Sequence, residues 1–165
     1  MHKAVSGLGT AEHVLTDVMI GHCNASMLAV MDAYKRKYNH DMEKVLSKDV
    51  HGDYKTVIVH LMRADRDEMG TQFSDVEFDV HALYKAGPGK LGTDEKTYMN
   101  ILTKRSVMHL RNVFQAYHRT YDKDIRHHIK SEFSGDAERA ILALVDWIAY
   151  FLFFISLPVT LLSMR

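Results

Sequence analysis

The sequence of 165 residues contains a single cysteine, two prolines and no excess of charge of either sign. Because Cys23 has no second cysteine to pair with, a disulfide scaffold and a cysteine-based zinc site are excluded, and a reducing compartment, by default the cytosol, is favoured. With 21 Lys+Arg and 21 Asp+Glu, the chain has no overall attraction to nucleic acid or to an anionic bilayer. Any such binding must come from local charge or from a bound cation. We also expect no secretory signal, since the first thirty residues lack a basic stretch followed by an apolar one.

An internal repeat organises the chain. A shift of 83 positions aligns its two halves without a gap and places Gly9 on Gly92 and Gly52 on Gly135. The apolar residues of one segment recur in both halves at helical spacing: Met27, Val30, Met31, Tyr34 and Tyr38 in the first, and Leu110, Val113, Phe114, Tyr117 and Tyr121 in the second. Since no segment alternates with period two, the sequence predicts an all-α fold built from two related units.

Each unit is predicted to contain several short helices with matching boundaries. A threonine hydroxyl caps the first helix, with an acid in its first turn, and Asn or Asp ends the second helix in the left-handed conformation. A Gly-Asp pair precedes the fourth helix. The matched residues are Thr10 and Thr93, Glu12 and Glu95, Asn39 and Asp122, and Gly52 and Gly135. Between the units we expect residues 63–74 to be a solvated linker rather than a catalytic carboxylate cluster, followed by a helix over 76–84.

A glycine-rich loop and a distant acid form the motif that indicates chemistry. Asp49 lies 40 positions after Gly9, and Glu132 lies 40 positions after Gly92. Ca²⁺ takes about six to eight oxygen ligands, which backbone carbonyls and a bidentate carboxylate can supply, and glycine lets carbonyls turn toward one point. The candidate ligands are the carbonyls of Val5, Gly7 and Gly9 with the Asp49 carboxylate, and those of Gly87, Lys90 and Gly92 with Glu132. One carboxylate per site predicts weak binding that leaves positions for water or an external oxygen.

Several stretches resemble one known family. They are "SGLGTAEHVLTDV", "LYKAGPGKLGTDEKTYMNIL", "AYKRKY", "KRSVMHLRNVFQAY" and "IKSEFSGDAERAILALV", and they are similar to the annexins, calcium-dependent phospholipid-binding proteins built from a five-helix repeat. The resemblance covers residues 1 to about 146. Most annexins have four repeats, and "RADRDE" followed by "ALYKAGPGKLGTDE" is similar to the junction between the second and the third. The chain therefore resembles the middle half of an annexin.

The resemblance implies a domain organisation. We expect an annexin-like repeat over 1–68 that lacks its leading segment, a linker over 69–78, a second repeat over 79–148 and an apolar tail over 149–165. The two repeats are expected to have about five short helices each, with right-handed superhelical packing.

The resemblance also implies a function and a set of site residues. Calcium ions on the convex face would bridge the protein to anionic lipids such as phosphatidylserine, so the protein is expected to be cytoplasmic and peripheral on the cytosolic face of plasma or vesicle membranes. The family's ligand positions fall on Gly7, Gly9, Asp49, Gly87, Lys90, Gly92 and Glu132, and a weaker secondary site falls on Thr10 with Glu12 and on Thr93 with Glu95. Neither nucleic-acid binding nor enzymatic activity is expected, and the 11 histidines are interpreted as surface groups.

The first unit departs further from the family pattern than the second. His22 stands where the second unit has Arg105, Ala11 where it has Asp94, and His51 where it has Ser134. We therefore expect the first calcium site to be the less intact of the two.

The carboxyl-terminal segment does not fit the pattern. Residues 147–164, "WIAYFLFFISLPVTLLSM", are 18 in number and carry no charge, which is close to the shortest length that spans a bilayer, about 17 residues. Three interpretations stay open: a tail that results from an altered gene product, a buried helix that partly replaces a missing helix of the repeat, and a membrane anchor. The alternative to calcium-dependent lipid binding is accordingly a truncated, non-binding helical scaffold or interaction fragment that the tail could anchor.

Overall fold

The computed structural model describes residues 12–72, 75–89 and 91–155, with the backbone alone for 151–155. The described regular structure is helical throughout and contains no strand, which confirms the all-α prediction. In chain order the helices are α1 (Glu12–Ile20), α2 (Asn24–Tyr38), α3 (Met42–Asp49), α4 (Gly52–Met62), α5 (Val76–Ala86), α6 (Glu95–Lys104), α7 (Val107–Tyr121), α8 (Ile125–Glu132) and α9 (Gly135–Ile155). Helices α6 to α9 begin where α1 to α4 begin, 83 positions later.

The predicted ends of the second helix of each unit are found where the sequence placed them, whereas Gly52 and Gly135 begin α4 and α9 instead of preceding them. Asn39 and Asp122 follow α2 and α7 with φ of 54° and 52°, and their N–H groups donate to the carbonyls four residues earlier. The threonine cap was wrong for Thr93, because Asp94 is the N-cap of α6 and its carboxylate accepts from the N–H of Thr97 at 3.1 Å. Because the Asp94 carboxylate already accepts from a free N–H group in the first turn of α6, the Thr93 hydroxyl is not needed as a cap. Thr10, the other predicted cap, lies outside the described residues.

One hydrophobic core joins the two units. Helix α9 packs on α1 and α4 of the first unit and on α7 and α8 of the second, while α4 packs on α6. Leu15, Ile58, Leu102 and Ile141 are completely buried in this core. Helix α5 lies on α7, so the apolar stripe of α7 is more deeply buried than the matching stripe of α2. The two stripes differ in burial because α5 covers α7, while among the described helices none packs on α2 to the same extent.

The segment between the units is less solvated than the sequence predicts. Asp67 is buried, and its carboxylate accepts from the N–H groups of Thr71 at 3.0 Å and Gln72 at 2.9 Å, which lowers its pKa. Arg66 donates to the carbonyls of Leu102 at 2.9 Å and Arg105 at 2.8 Å, and burial lowers its pKa to about 10. Composition alone predicts that these polar side chains face solvent, but in the structure Arg66 donates to carbonyls at the end of α6.

The charge-free segment begins as a continuation of the last helix. Helix α9 runs from Gly135 to Ile155, so its final turns belong to the apolar tail. Ile148 is completely buried, and the Arg66 guanidinium lies 5.9 Å from the centre of the Trp147 ring. Among the described residues, no helix is long and apolar enough to cross a membrane. Residues 156–165 of the tail lie outside the described ranges, and the boundary predicted at 149 stays a prediction.

Candidate metal centre

The loop between α5 and α6 is closed by backbone hydrogen bonds at its base. The N–H groups of Gly87 and Gly89 donate to the Tyr84 carbonyl at 3.3 and 2.9 Å, which turns the chain away from α5. The Asp94 N–H then donates to the Ala86 carbonyl at 2.6 Å, where the chain enters α6. These bonds fix the two ends of the loop side by side.

Gly92 and Leu91 form the exposed part of this loop. Gly92 has φ of +81°, a conformation that residues with a Cβ rarely adopt, and no atom lies within 4 Å of the position where its Cβ would be. The Leu91 side chain is fully exposed, at 104%. Leu91 thus presents an apolar side chain at the surface of the loop.

Glu132 reaches this loop from the end of α8. Its carboxylate oxygen Oε2 accepts a hydrogen bond from the Thr93 hydroxyl at 2.9 Å, and the same hydroxyl lies 3.3 Å from the Glu132 carbonyl. On the other side, the Glu132 Cγ lies 3.0 Å from the point that a Cβ at Gly87 would occupy. The structure therefore brings Gly87, Gly92 and Glu132 to one loop, although 40 positions separate Gly92 from the acid. Lys90, the remaining predicted ligand, lies outside the described residues.

Tyr98 lies directly beneath the same loop. Its hydroxyl is 2.8 Å from the position of a Cβ at Gly87, and its side chain is completely buried. The Tyr98 ring also packs edge-to-face against Phe133, the residue after Glu132, at a centroid distance of 5.3 Å. Since any side chain at position 87 would meet Tyr98 and Glu132, glycine is required here for close approach rather than for a turn.

The helix that leads into the loop is fixed by a buried carboxylate. Asp79 on α5 is completely buried and accepts from the Arg105 guanidinium through both oxygens, at 2.7 and 3.1 Å. The His109 ring nitrogen Nε2 lies 2.8 Å from the same carboxylate. The carboxylate raises the pKa of Arg105. In the first unit, His22 takes the place of the arginine and bonds to Ser26 at 3.1 Å instead.

An aromatic cluster supports the loop base from the side of α7 and α8. Tyr84, whose carbonyl accepts from the loop, stacks on Tyr121 at 3.8 Å with an interplanar angle of 7°. The Tyr117 hydroxyl bonds to the His128 Nδ1 at 2.6 Å, and burial lowers the pKa of His128 while raising that of Tyr117. This packing holds α5, α7 and α8 together below the loop.

The chemistry of the converging groups suits a hard cation. Backbone carbonyls and a single carboxylate are oxygen donors of the type that Ca²⁺ takes. Among the described residues, no group of three or more His, Cys, Asp or Glu is placed to hold a metal ion.

The secondary site predicted around Thr93 and Glu95 is only partly visible in the geometry. The Thr93 hydroxyl donates to Glu132. Glu95 lies in the first turn of α6, where its negative charge interacts favourably with the positive end of the helix dipole. Their joint role as a metal site stays a prediction.

In the first unit the structure places the acid but does not describe the loop. Asp49 is exposed at the last position of α3, as Glu132 is the last residue of α8. Glu12 begins α1, and its carbonyl accepts from the Tyr54 hydroxyl at 2.7 Å. Val5, Gly7, Gly9 and Thr10 lie outside the described residues, so the first site stays a prediction.

Reasoning from the sequence missed Asp79 and Tyr98. The sequence analysis does not single out Asp79, and it names Arg105 only as the residue that His22 replaces in the first unit. Tyr98 could have been noticed from the repeat itself, since the first unit has Leu15 at the matching position. When matching core positions hold a tyrosine in one unit and a leucine in the other, the surroundings of that position are expected to differ between the units.

Comparisons with known proteins point to one family. The family model described as Annexin matches residues 1–61 and 78–144, and the match ends just before Trp147. Annexin A13 of Canis lupus familiaris is 40% identical over 146 residues, which cover 88% of this chain and 46% of that protein. Annexin A5 of Cynops pyrrhogaster is 37% identical over 146 residues, 88% of this chain and 45% of that protein.

The fold agrees with that assignment. The solved structure of annexin III superimposes with a TM-score of 0.82 at 32% sequence identity, over 88% of this chain and 46% of that one. The chain thus spans about half the length of the relatives that it matches. Its helical repeat, the loop closed at Gly87 and the acid at the end of α8 agree with this likeness, and the chain belongs to the annexin family.

Proposed function

We propose that this chain attaches to anionic phospholipid surfaces, phosphatidylserine among them, through Ca²⁺ bound by the loop over 87–93 together with Glu132. Annexins in general bind phospholipid in a calcium-dependent manner and are not enzymes. The single observation that supports the same function here is that the Glu132 carboxylate meets the Gly87 loop, whose outer residues Leu91 and Gly92 are exposed. The intact module is the second unit.

The residues present fit the ion by donor type. Gly87, Lys90 and Gly92 would supply carbonyl oxygens, and Glu132 would supply the carboxylate. A bound Ca²⁺ would supply open coordination positions for the phosphate oxygens of a lipid. Since a single carboxylate contributes only one negative charge, binding to the protein alone should be weak, and lipid and calcium should strengthen each other's binding by the same factor.

The loop surface is suited to a membrane interface. Leu91 is fully exposed beside Gly92, so an apolar side chain accompanies the ion toward the lipid. The formal net charge of zero gives no attraction of its own to an anionic bilayer, so attachment should depend on the cation. We place the protein on the cytosolic face of plasma or vesicle membranes as a peripheral component.

The first unit is proposed to bind more weakly or not at all. Asp49 ends α3 as Glu132 ends α8, but His22, Ala11 and His51 depart from the second unit. If both sites are filled, two ions on one rigid face would add avidity.

The test is co-sedimentation with vesicles of phosphatidylserine and phosphatidylcholine, in millimolar-order calcium and in chelator. Wild type should pellet in calcium and be released by chelator. Glu132→Gln, which keeps the shape of the side chain but removes its charge, should reduce pelleting strongly, whereas Asp49→Asn should reduce it less. Glu43→Gln is the matched control, because Glu43 is an exposed acid in the first turn of α3, whereas Asp49 is the last residue of that helix.

Two outcomes would contradict the proposal. One is wild-type protein that stays in the supernatant at every calcium concentration while circular dichroism shows it folded. The other is Glu132→Gln protein that pellets as the Glu43→Gln control does. Vesicles of phosphatidylcholine alone distinguish anionic-lipid binding from general adhesion.

A second candidate function follows from α9. Because this helix carries the fold into the apolar segment up to Ile155, a helical scaffold held at a membrane by its tail, with no calcium requirement, is the alternative. That function predicts pelleting in chelator, which a variant ending at residue 155 would lose. A control without vesicles separates membrane attachment from aggregation.

A further inference from the structure

Tyr98 carries a buried hydroxyl that has no hydrogen-bond partner. Its side chain is completely buried, and among the described residues its hydroxyl oxygen is the buried side-chain polar atom without a partner. Buried tyrosine hydroxyls are normally paired, because an unpaired one has lost its water without compensation. A hydroxyl kept in this state points to a second arrangement of the protein in which it does have a partner.

The groups around the Tyr98 hydroxyl indicate where a hydrogen-bond partner would come from. The same point, the position of a Cβ at Gly87, lies 2.8 Å from the Tyr98 hydroxyl and 3.0 Å from the Glu132 Cγ. The hydroxyl and the stem of Glu132 therefore both lie against the loop base at Gly87. Burial, with a smaller effect of the Glu132 charge, raises the pKa of Tyr98, so the phenol keeps its proton and is available as a donor.

The first unit shows that the fold does not require this hydroxyl. Position 15, which matches position 98, holds Leu15, and that side chain is also completely buried in the core. Position 4, which matches Gly87, holds Ala4. The unit with the tyrosine thus has a glycine where the other unit has a Cβ, and the hydroxyl lies 2.8 Å from the position of that missing Cβ, too close for a real Cβ. The glycine and the tyrosine form a matched pair beneath one loop.

We propose that Tyr98 is a positioning residue of the calcium site, whose hydroxyl donates a hydrogen bond to the Glu132 carboxylate in the calcium-bound protein. This inference rests on the proposed function. In the present arrangement Thr93 donates to that carboxylate at 2.9 Å. A second donor from below would hold the carboxylate at the loop and satisfy the buried hydroxyl. Tyr98 would then favour the bound form and disfavour the free form.

This role predicts opposite effects of one substitution. Tyr98→Phe removes the unpaired hydroxyl from the free protein, so the melting temperature in chelator should rise by about 2–4 °C. It also removes the donor from the bound protein, so calcium affinity should fall about tenfold, as expected for a hydrogen bond to a charged group. A purely structural tyrosine would lower the melting temperature when substituted and leave calcium affinity unchanged.

The experiment is isothermal titration with calcium chloride and thermal melting in chelator. Both are made in an Asp49→Asn background, so that only the second site titrates. Tyr150→Phe is the control, because Tyr150 is exposed on α9, and neither quantity should change. Glu132→Gln is measured in the same background.

The outcomes separate this proposal from the function on which it rests. If Glu132→Gln abolishes calcium binding while Tyr98→Phe leaves the affinity within about twofold, the positioning role is overturned and the proposed function stands. A Tyr98→Phe protein with both a lower melting temperature and a lower affinity would also overturn the role, since it would show general loss of structure. If the Asp49→Asn parent binds no calcium even with phosphatidylserine vesicles present, both proposals fail.

Discussion

Replacing Gly87 by alanine tests the packing beneath the loop. A Cβ at this position would lie 2.8 Å from the Tyr98 hydroxyl, 3.0 Å from the Glu132 Cγ and 3.2 Å from a Tyr98 ring carbon. Real Cβ atoms essentially never come within 3.0 Å of another heavy atom. Because Tyr98 is completely buried, its ring has little freedom to withdraw. The added methyl group must therefore move the loop base, the tyrosine or Glu132.

The expected cost is that of overpacking a core, about 1–3 kcal/mol in the free energy of unfolding. We take about 2 kcal/mol, since one of the three contacts involves the flexible stem of a glutamate. For a chain of this size, that value corresponds to a fall in melting temperature of roughly 4–8 °C. Displacement of Glu132 should also weaken calcium binding, because the carboxylate would no longer meet the loop.

Urea unfolding followed by circular dichroism measures this cost, with Gly21→Ala as the control. The nearest atom to a Cβ at Gly21 is a backbone oxygen 3.8 Å away, which is ordinary contact, so this variant should change stability by less than about 0.5 kcal/mol. The decisive comparison adds Tyr98→Leu, which with Gly87→Ala reproduces the Ala4 and Leu15 pair of the first unit.

In the Tyr98→Leu background, Gly87→Ala should cost less than about 0.5 kcal/mol, because the hydroxyl and ring that it would meet are gone. An equal cost of Gly87→Ala with Tyr98 and with Leu at position 98 would refute the reasoning. It would place the strain in the loop or at Glu132 instead. A negligible cost in the wild-type background would show that the loop base yields freely.

Two further predictions concern other buried polar groups. Asp79→Asn should lower the free energy of unfolding by about 3 kcal/mol, because the Arg105 guanidinium loses its buried carboxylate partner. The control, Asp32→Asn, lies at an exposed ion pair and should lower it by less than about 0.5 kcal/mol. Equal effects of the two substitutions in urea unfolding would contradict this prediction. Burial lowers the pKa of His60 and His128 below the ordinary value of 6.5. As pH falls below about 6.5, these histidines take up protons more readily in the unfolded chain than in the folded one, so the free energy of unfolding should fall. Replacing both histidines by glutamine should flatten the melting temperature over that window, and an unchanged pH profile would exclude them as the cause.

The second unit shows how far a sequence can predict a site. The spacing from Gly92 to Glu132 repeats that from Gly9 to Asp49, and this identity indicated the loop and the acid before any contact was known. The structure brings the loop and the acid of the second unit together through the Thr93 hydroxyl and the bare Cα of Gly87. Spacing can be read from one chain because equal repeats place equal residues at equal positions.

Side-chain partners were harder to predict. Thr93 was interpreted as a helix cap, yet its hydroxyl bonds to Glu132 while Asp94 caps α6. Arg66 and Asp67 were assigned to a solvated linker, yet they satisfy backbone groups of α6 and of the linker itself. Each residue type was compatible with both roles locally. The choice depended on which helix end or carbonyl lay nearby in space.

The sequence by itself determined the all-α class, the repeat of 83 positions and the helix ends at Asn39 and Asp122, because helical periodicity and end-capping are properties of neighbouring residues. Only the tertiary structure decided that Asp79 is buried between Arg105 and His109, and that the Tyr98 hydroxyl lies unpaired beneath Gly87. Those relations join residues on different helices. They arise from how α5, α6, α7 and α8 pack, which no local pattern specifies.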